Sequence, residues 1–233
     1  MVNNKIIMMP SPGCGYQGVG KNIADRVNQQ ERLIRLARLG MLIECEGSIT
    51  IGTSLGCKSL RYCSFSPQID ITNTSSIIID EAKNTLVSES IGFTARPVRY
   101  GSGFGKKLRY DLNIHGFDRL VKILSLLKPW LGSKARNADL VLEFIKSRQT
   151  TGGPGTPYSE SEWQMVTEVR IINGRSLSQK AIAKVKAQLE SSESIRQPRT
   201  REFHRRYLKM CADLQRELER TAEMTVPPAQ KTA

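Results

Sequence analysis

Two glutamates that stand one residue apart, Glu44 and Glu46, have the types and spacing best suited to chemistry in this sequence. They follow an apolar stretch, residues 36–43, in which Arg38 is the one strongly polar residue. This pattern predicts a helix that is buried on more than one side. Because the C-terminus of a helix carries partial negative charge, two carboxylates there need a positive partner, and a divalent cation is one candidate. An exposed glutamate pair at a fraying helix end is the alternative that these residues leave open.

The elements that must position this pair follow a definite order along residues 31–150. Apolar periodicity and turn residues predict four helices and four strands. The helices are expected near 31–46, 76–90, 117–127 and 136–148, and the strands near 48–54, 62–73, 94–100 and 106–114. The order α-β-β-α-β-β-α-α indicates an α+β fold in which helices pack on one face of an antiparallel sheet.

The predicted strands alternate apolar and polar residues, as Ile49 and Ile51 do with Ser48 and Thr50. Such alternation predicts one face packed against helices and one polar face exposed to solvent. A polar sheet face can enter a DNA major groove and read base edges, although an ordinary solvated sheet has the same pattern. The stretch 96–109 also carries five Lys or Arg residues and no acid.

The charge of the whole chain favours a polyanionic partner. It has 35 Lys and Arg against 22 Asp and Glu, a formal charge of +13 and a pI of about 9.8. Nucleic acid and an acidic membrane surface are the partners that such an excess indicates. No apolar run reaches the roughly 18 residues of a membrane span, and residues 6–9 are too short for a signal peptide. We therefore expect a soluble, intracellular protein, with its compartment open.

Other residue patterns exclude several kinds of site. The five cysteines form no C-x-x-C pair and only two histidines are present, so neither a disulfide framework nor a zinc site is indicated. The run from Gly15 to Lys21 is close to a phosphate-binding loop, but Asn22 stands where that loop needs Ser or Thr. We expect no nucleotide cofactor.

Composition divides the chain into four parts. Residues 1–30 are predicted to be a loose leader and residues 31–150 the core domain. Residues 151–190 begin with a Gly- and Pro-rich linker and continue with helices near 161–172 and from 176 or 178 to 189. Residues 191–233 are predicted to be a basic tail with an amphipathic helix near 194–219.

Residues 39–47, Leu-Gly-Met-Leu-Ile-Glu-Cys-Glu-Gly, resemble the motif that names the LAGLIDADG homing endonucleases. Residues 128–131, Lys134 and residues 137–145 resemble the closing segment of that family's core, and the predicted αββαββα order resembles the core itself. The resemblance covers roughly residues 31–190. The chain departs from the motif at Met41, where the family has a glycine, and in using Glu in place of Asp.

The resemblance implies a homing-endonuclease core with a curved antiparallel DNA-binding sheet and added C-terminal helices. It implies site-specific double-strand cleavage by phosphodiester hydrolysis that depends on Mg²⁺ or Mn²⁺. Glu46 takes the place of the metal-binding acid, with the Cys45 carbonyl as a further ligand, and Glu44 that of a more structural acid. Lys134 takes the place of a lysine that polarises the active-site water, and Asn73 falls where the family has a polar group that positions water.

Because the chain carries one motif, the resemblance implies a homodimer, of intron or intein origin, that acts on a pseudo-palindromic double-stranded target. The predicted dimer interface comprises Leu36, Leu39, Gly40, Met41 and Ile43. The predicted DNA-contacting residues are Ser48, Thr50, Ser54, Gln68, Asp70, Arg96, Lys107, Arg109 and Asp111. The rival hypothesis is a nucleic-acid binder that does not cleave, either an intron RNA maturase or a DNA-binding regulator.

Overall fold

The element order of the protein is the one that its sequence predicts, and the α+β fold class is confirmed. The computed structural model describes residues 17–54, 64–100, 107–152, 156–174, 183 and 198–225. The helices are α1 (Gln17–Glu46), α2 (Ser76–Ser88), α3 (Phe117–Leu127), a 3₁₀ turn (Lys128–Trp130), α4 (Ala135–Thr151), α5 (Glu160–Ile172) and α6 (Pro198–Thr225). The strands are β1 (Gly47–Ser54), β2 (Ser64–Asn73), β3 (Thr94–Tyr100) and β4 (Lys107–His115).

The four strands form one antiparallel sheet in the order β1-β2-β4-β3. Alternate residues of β1, β2 and β4 point into the core, as the period-2 pattern predicts. The most deeply buried of them are Ile49, Ile51, Ile69, Ile71, Leu112 and Ile114. The opposite side, which we call the polar sheet face, carries Ser48, Thr50, Gln68, Asp70, Thr72, Asp111 and Asn113.

Helix α1 begins at Gln17, well before the start that its apolar pattern predicts, so residues 17–30 are not a loose leader. The side chains of residues 25–35 are exposed, and this segment therefore shows no apolar period that would reveal it. The segment contains no proline and mostly residues that favour or tolerate a helix. Residues 1–16, and the predicted helix ending at 189 except for the helical Ala183, lie outside the described residues.

The second half of α1 is embedded in the core of its own chain. Leu36, Leu39 and Ile43 are buried among the helices and the sheet. At Gly40 an added Cβ would lie 2.7 Å from the Cβ of Trp130, so the absence of a side chain lets the 3₁₀ turn approach α1 closely. Gly40 therefore serves a contact within the chain.

The C-terminal helices attach to the outer edge of β1 and to the far end of the β1–β2 hairpin. The Nδ2 atoms of Asn137 and Asn173 both donate to the carbonyl of Ile49, at 3.4 and 3.0 Å. These bonds satisfy a backbone group of an edge strand. Near the hairpin end, one aromatic cluster joins β2 to α4, α5 and α6, and its members are Phe65, Phe144, Tyr158, Trp163 and Phe203.

Replacing Gly40 by Ala should destabilise the fold by about 1–3 kcal/mol, because the new Cβ overlaps the Trp130 Cβ and forces the two segments apart. Helix propensity alone would favour Ala by roughly 1 kcal/mol, so the sign of the effect is diagnostic. Urea unfolding followed by circular dichroism measures the change. Gly132→Ala is the matched control, since its Cβ would make an ordinary 3.5 Å contact. A Gly40→Ala chain at least as stable as the wild type would contradict this account of the packing.

Candidate functional site

The carboxylate of Glu44 is fastened to the loop that precedes α4. Its oxygens accept hydrogen bonds from the backbone N–H of Ser133 at 2.7 Å, from the Ser133 hydroxyl, and from the backbone N–H of Lys134 at 3.3 Å. A carboxylate that accepts several donors is held in one orientation. Glu44 therefore joins the end of α1 to the start of α4.

The side chain of Lys134 caps the C-terminus of α1. Its Nζ donates to the carbonyl of Ile43 at 2.8 Å and to the carbonyl of Glu44. These are two of the last four carbonyls of the helix, which have no helical partner. The ammonium also supplies the positive charge that two glutamates at this helix end need. The structure thus places the ammonium of Lys134 at the backbone of the helix end that carries the two glutamates.

The hydrogen bonds around Glu44 change its acidity. Burial opposes ionisation of this carboxyl group, but the bonds from Ser133 and Lys134 and the Lys134 charge outweigh that effect. The pKa of Glu44 therefore lies below its ordinary value. Glu44 is an ionised, hydrogen-bonded support and not a group poised to exchange protons near neutral pH.

Glu46 differs from Glu44 in its exposure and its contacts. It is the last residue of α1, its side chain is exposed, and it makes no hydrogen bond or ion pair with any residue that the structure describes. Cys45 beside it is also exposed, with a free thiol, and its carbonyl belongs to the last turn of α1. At the end of α1, the Glu44 carboxylate is therefore hydrogen-bonded within the protein, whereas the Glu46 carboxylate is available to a ligand.

Asn73 lies at the same end of the sheet as Glu46. Gly47, which follows Glu46, pairs with Ile71, and Asn73 is two residues farther along β2. The Oδ1 atom of Asn73 accepts from the backbone N–H of Ser75 at 2.8 Å, just before α2 begins. One lone pair of its oxygen is therefore engaged in an Asx turn that orients the side chain, and its amide nitrogen makes no bond with the described residues.

The polar sheet face carries two hydrogen-bonded groups, each centred on an aspartate. Asp70 accepts from Gln68 Nε2 at 2.7 Å and from Asn113 Nδ2 at 2.5 Å. Asp111 accepts from Thr72 Oγ1 at 3.2 Å and pairs with Arg109 Nε at 3.1 Å. Of the predicted DNA-contacting residues, the structure brings together Gln68 with Asp70 and Arg109 with Asp111. Sequence reasoning did not select Thr72 or Asn113, although their place in the alternating pattern was the available signal.

Two predicted DNA-contacting residues are not exposed as expected. Thr50 is 1% exposed, and Gln68 lies opposite it on β2. Asp111 is 9% exposed because Arg109 and Thr72 close over it. Ser48 and Ser54 are half-buried and Arg96 is exposed, whereas the side chain of Lys107 lies outside the described residues.

Four of the five residues predicted for the dimer interface are part of the core of one chain. Leu36, Leu39, Gly40 and Ile43 face the sheet and the 3₁₀ turn, because α1 buries its inner side in its own domain. The fifth, Met41, is 55% exposed. Ile34 and Cys45, seven residues before it and four after, are exposed on the same side of the helix. The outer stripe of α1, Ile34, Met41 and Cys45, is therefore the side free to meet a partner.

Replacing Glu44 by Gln should change the acid sensitivity of the fold. Because the folded-state pKa of Glu44 is lowered, its ionised form stabilises the fold above its unfolded-state pKa of about 4.3, and that stabilisation is lost as pH falls through the folded-state value. Urea unfolding from pH 7 to pH 3 should show Glu44→Gln less stable at pH 7, with the deficit shrinking below about pH 4.3. The exposed Glu143→Gln is the control. A constant deficit at every pH would show that the hydrogen bonds of Glu44 do not depend on its charge.

Comparison with solved structures finds homing endonucleases. I-CvuI in complex with DNA is 16% identical, with a TM-score of 0.42 over 79% of this chain and 97% of that one. The archaeal intron-encoded I-Vdi141I complexed with DNA is 12% identical, with a TM-score of 0.42 over 78% and 97%. The LAGLIDADG homing endonuclease I-SmaMI bound to cleaved DNA is 15% identical, with a TM-score of 0.43 over 66% and 48%.

No family model matches the sequence, and no curated protein does. None of the helices in the described part of the chain is long and apolar enough to cross a membrane. The proteins to which this chain is similar are homing endonucleases, the family whose LAGLIDADG motif residues 39–47 resemble.

Proposed function

We propose that this chain is a homodimeric, site-specific DNA endonuclease that makes a double-strand break by metal-dependent phosphodiester hydrolysis. The observation that carries the proposal is the contrast between Glu44 and Glu46 at the end of α1. Glu44 is held by three hydrogen bonds, whereas Glu46 is exposed and makes no bond with the described residues. A protein that only binds DNA gains nothing from an uncommitted acid in that place, because the acid repels phosphate.

The donor set at the end of α1 suits a hard divalent cation. Glu46 offers carboxylate oxygens, and the last turn of α1 offers the Cys45 carbonyl. The described residues contain no group of three or more His, Cys, Asp or Glu that could enclose a metal. Such a sparse set leaves most positions to water and phosphate oxygens, which is the arrangement that Mg²⁺ prefers and Mn²⁺ also accepts. When bound, the cation would neutralise charge on the attacked phosphate and lower the pKa of water.

Lys134 supports this site in two ways. Its bonds to the carbonyls of Ile43 and Glu44 fix the last turn of α1 and so the place of Glu46. Its ammonium also keeps positive charge beside a site that must receive a polyanion. We propose that the same ammonium orients water near the phosphate, and that the Asn73 amide nitrogen assists at the neighbouring end of β2.

The polar sheet face is the proposed DNA-contacting surface. It begins at Gly47, directly after Glu46, so a duplex that lies along β1 and β2 also passes the end of α1. Arg96 and Arg109 add positive charge on β3 and β4. A net charge of +13 supplies the sequence-independent part of the affinity.

Two strands must be cut, and each chain carries one Glu46, so the proposed active form is a homodimer with a pseudo-palindromic target. We propose that the outer stripe of α1 forms the contact. Ile34 and Met41 are 46% and 55% exposed, and Cys45 lies one turn beyond Met41. Contact along this stripe would bring the two α1 ends, and with them the two Glu46 side chains, to one place.

Replacing Glu46 by Gln should abolish cleavage and leave DNA binding within about threefold, because a neutral amide is a poor ligand for Mg²⁺ and the sheet is unchanged. Cleavage of a randomised target library with Mg²⁺, compared with binding in Ca²⁺, separates the two effects. Glu44→Gln is the matched control and should keep measurable cleavage. If Glu46→Gln cuts at the wild-type rate, the acid is misassigned. If the wild type binds DNA and no target is cut, the chain is a binder.

Replacing Met41 by Lys should convert the protein to a folded monomer. Met41 is exposed within one chain, so the fold tolerates the lysine, whereas a dimer through α1 would bury two ammonium groups at a cost of several kcal/mol. Sedimentation with and without DNA measures the oligomeric state. Ile172→Lys, on the exposed side of α5, adds the same charge and should leave the dimer intact. A wild-type monomer that still cuts both strands would contradict the proposed assembly.

A further inference from the structure

Three side chains on the polar sheet face form a hydrogen-bonded group in which the donors and the acceptor are fixed. Asp70 lies between Gln68 and Asn113, with the Gln68 Nε2 atom 2.7 Å from Oδ2 and the Asn113 Nδ2 atom 2.5 Å from Oδ1. A carboxylate can only accept hydrogen bonds, whereas an amide can turn to present either its NH₂ group or its oxygen. Asp70 therefore forces both amides to turn their NH₂ groups inward and their oxygens, Gln68 Oε1 and Asn113 Oδ1, outward.

Both amide oxygens are available to a ligand. Neither accepts a hydrogen bond from any residue that the structure describes, and neither is among the buried polar atoms of those residues that lack a partner. Both residues are half-buried, and neither oxygen is fully buried. Gln68 Oε1 lies beside Gly52, 3.5 Å from the place where a Cβ would stand, and the missing side chain leaves that oxygen uncovered.

We propose that Gln68, Asp70 and Asn113 form a reader whose two outward-facing amide oxygens select base pairs by an exocyclic amino group in the major groove. The major groove offers two donors, the N4 amino group of cytosine and the N6 amino group of adenine. Outward-facing oxygens pair with these groups and repel the O6 and N7 atoms of guanine and the O4 atom of thymine. This inference rests on the proposed function, because it takes the sheet to be the DNA-contacting surface.

Asp70 acts here as a positioning residue. An Asn or Gln side chain that is free to turn can bind adenine through its oxygen and its NH₂ group together, or present the NH₂ group to guanine or thymine. One N–H of each amide is held on Asp70, so the oxygens stay outward and neither amide can turn its whole NH₂ group to guanine or thymine. The negative charge of Asp70 lowers the affinity of this surface for DNA, because it repels phosphate. Its function is to fix the orientation of the Gln68 and Asn113 amides, and so the bases that they select.

The test selects bound duplexes from a randomised library with the full chain in Ca²⁺ and reads the bases enriched in each half-site by sequencing. The wild type should enrich pairs with adenine or cytosine on the contacted strand at one or two positions per half-site, by about threefold to tenfold over guanine and thymine. Asp70→Asn should flatten that preference while leaving the preferences elsewhere unchanged, because its own amide lets both neighbours turn. Asp80→Asn, an exposed aspartate on α2, is the matched control.

A second pair of variants keeps the test decisive if Asp70→Asn folds poorly. Gln68→Leu and Asn113→Leu each remove one oxygen and should each flatten the preference at one position. If the wild type shows no amino-group preference at any position, or if none of the three variants alters it, the inference is wrong. A chain that binds no DNA at all would instead overturn the proposed function.

Discussion

The contact between the end of α1 and the loop before α4 is the constraint on which the rest of the site depends. Lys134 Nζ donates to two backbone carbonyls of α1. The Glu44 carboxylate accepts from the Ser133 hydroxyl and from the backbone N–H groups of Ser133 and Lys134. The two segments are about 90 residues apart in sequence, so this exchange of bonds ties the first helix to the second half of the domain. The last turn of α1 is thus fixed from both sides. The side chain of Glu46 stays exposed and makes no hydrogen bond or ion pair within the described part of the chain.

The sequence predicts the elements of the fold well where a buried face imposes a period. The β2 and β4 strands and the α3 helix lie where alternation and amphipathic spacing place them, because their inner sides are fully buried. The start of α1 escapes prediction for the opposite reason, since residues 25–35 are exposed and nothing selects an apolar pattern there. A helix supported by propensity alone leaves little trace in a single sequence.

The candidate site, too, is only partly predictable from the sequence. The types of residues near Glu46 are readable from the motif, and Lys134 does lie at the helix end. Sequence cannot tell which side of an almost wholly apolar helix faces its own core, so Leu36, Leu39 and Ile43 were assigned to a partner although they pack inside one chain. Nor can it show that Thr50, on the polar sheet face, is buried, because exposure on that face depends on how the side chains of the folded chain pack over it.

Helix α1 passes into β1 without an intervening residue, since Glu46 ends the helix and Gly47 begins the strand. An added Cβ at Gly47 would lie 2.8 Å from the Cα of Ile43, so the turn at this residue leaves no room for a side chain. No loop residue separates the helix from the strand. In the proposed complex, any twist that a bent duplex imposes on the sheet would reach the carboxylate of Glu46 as a displacement of its backbone, and the shape of the bound DNA would become part of what sets the distance between acid and phosphate.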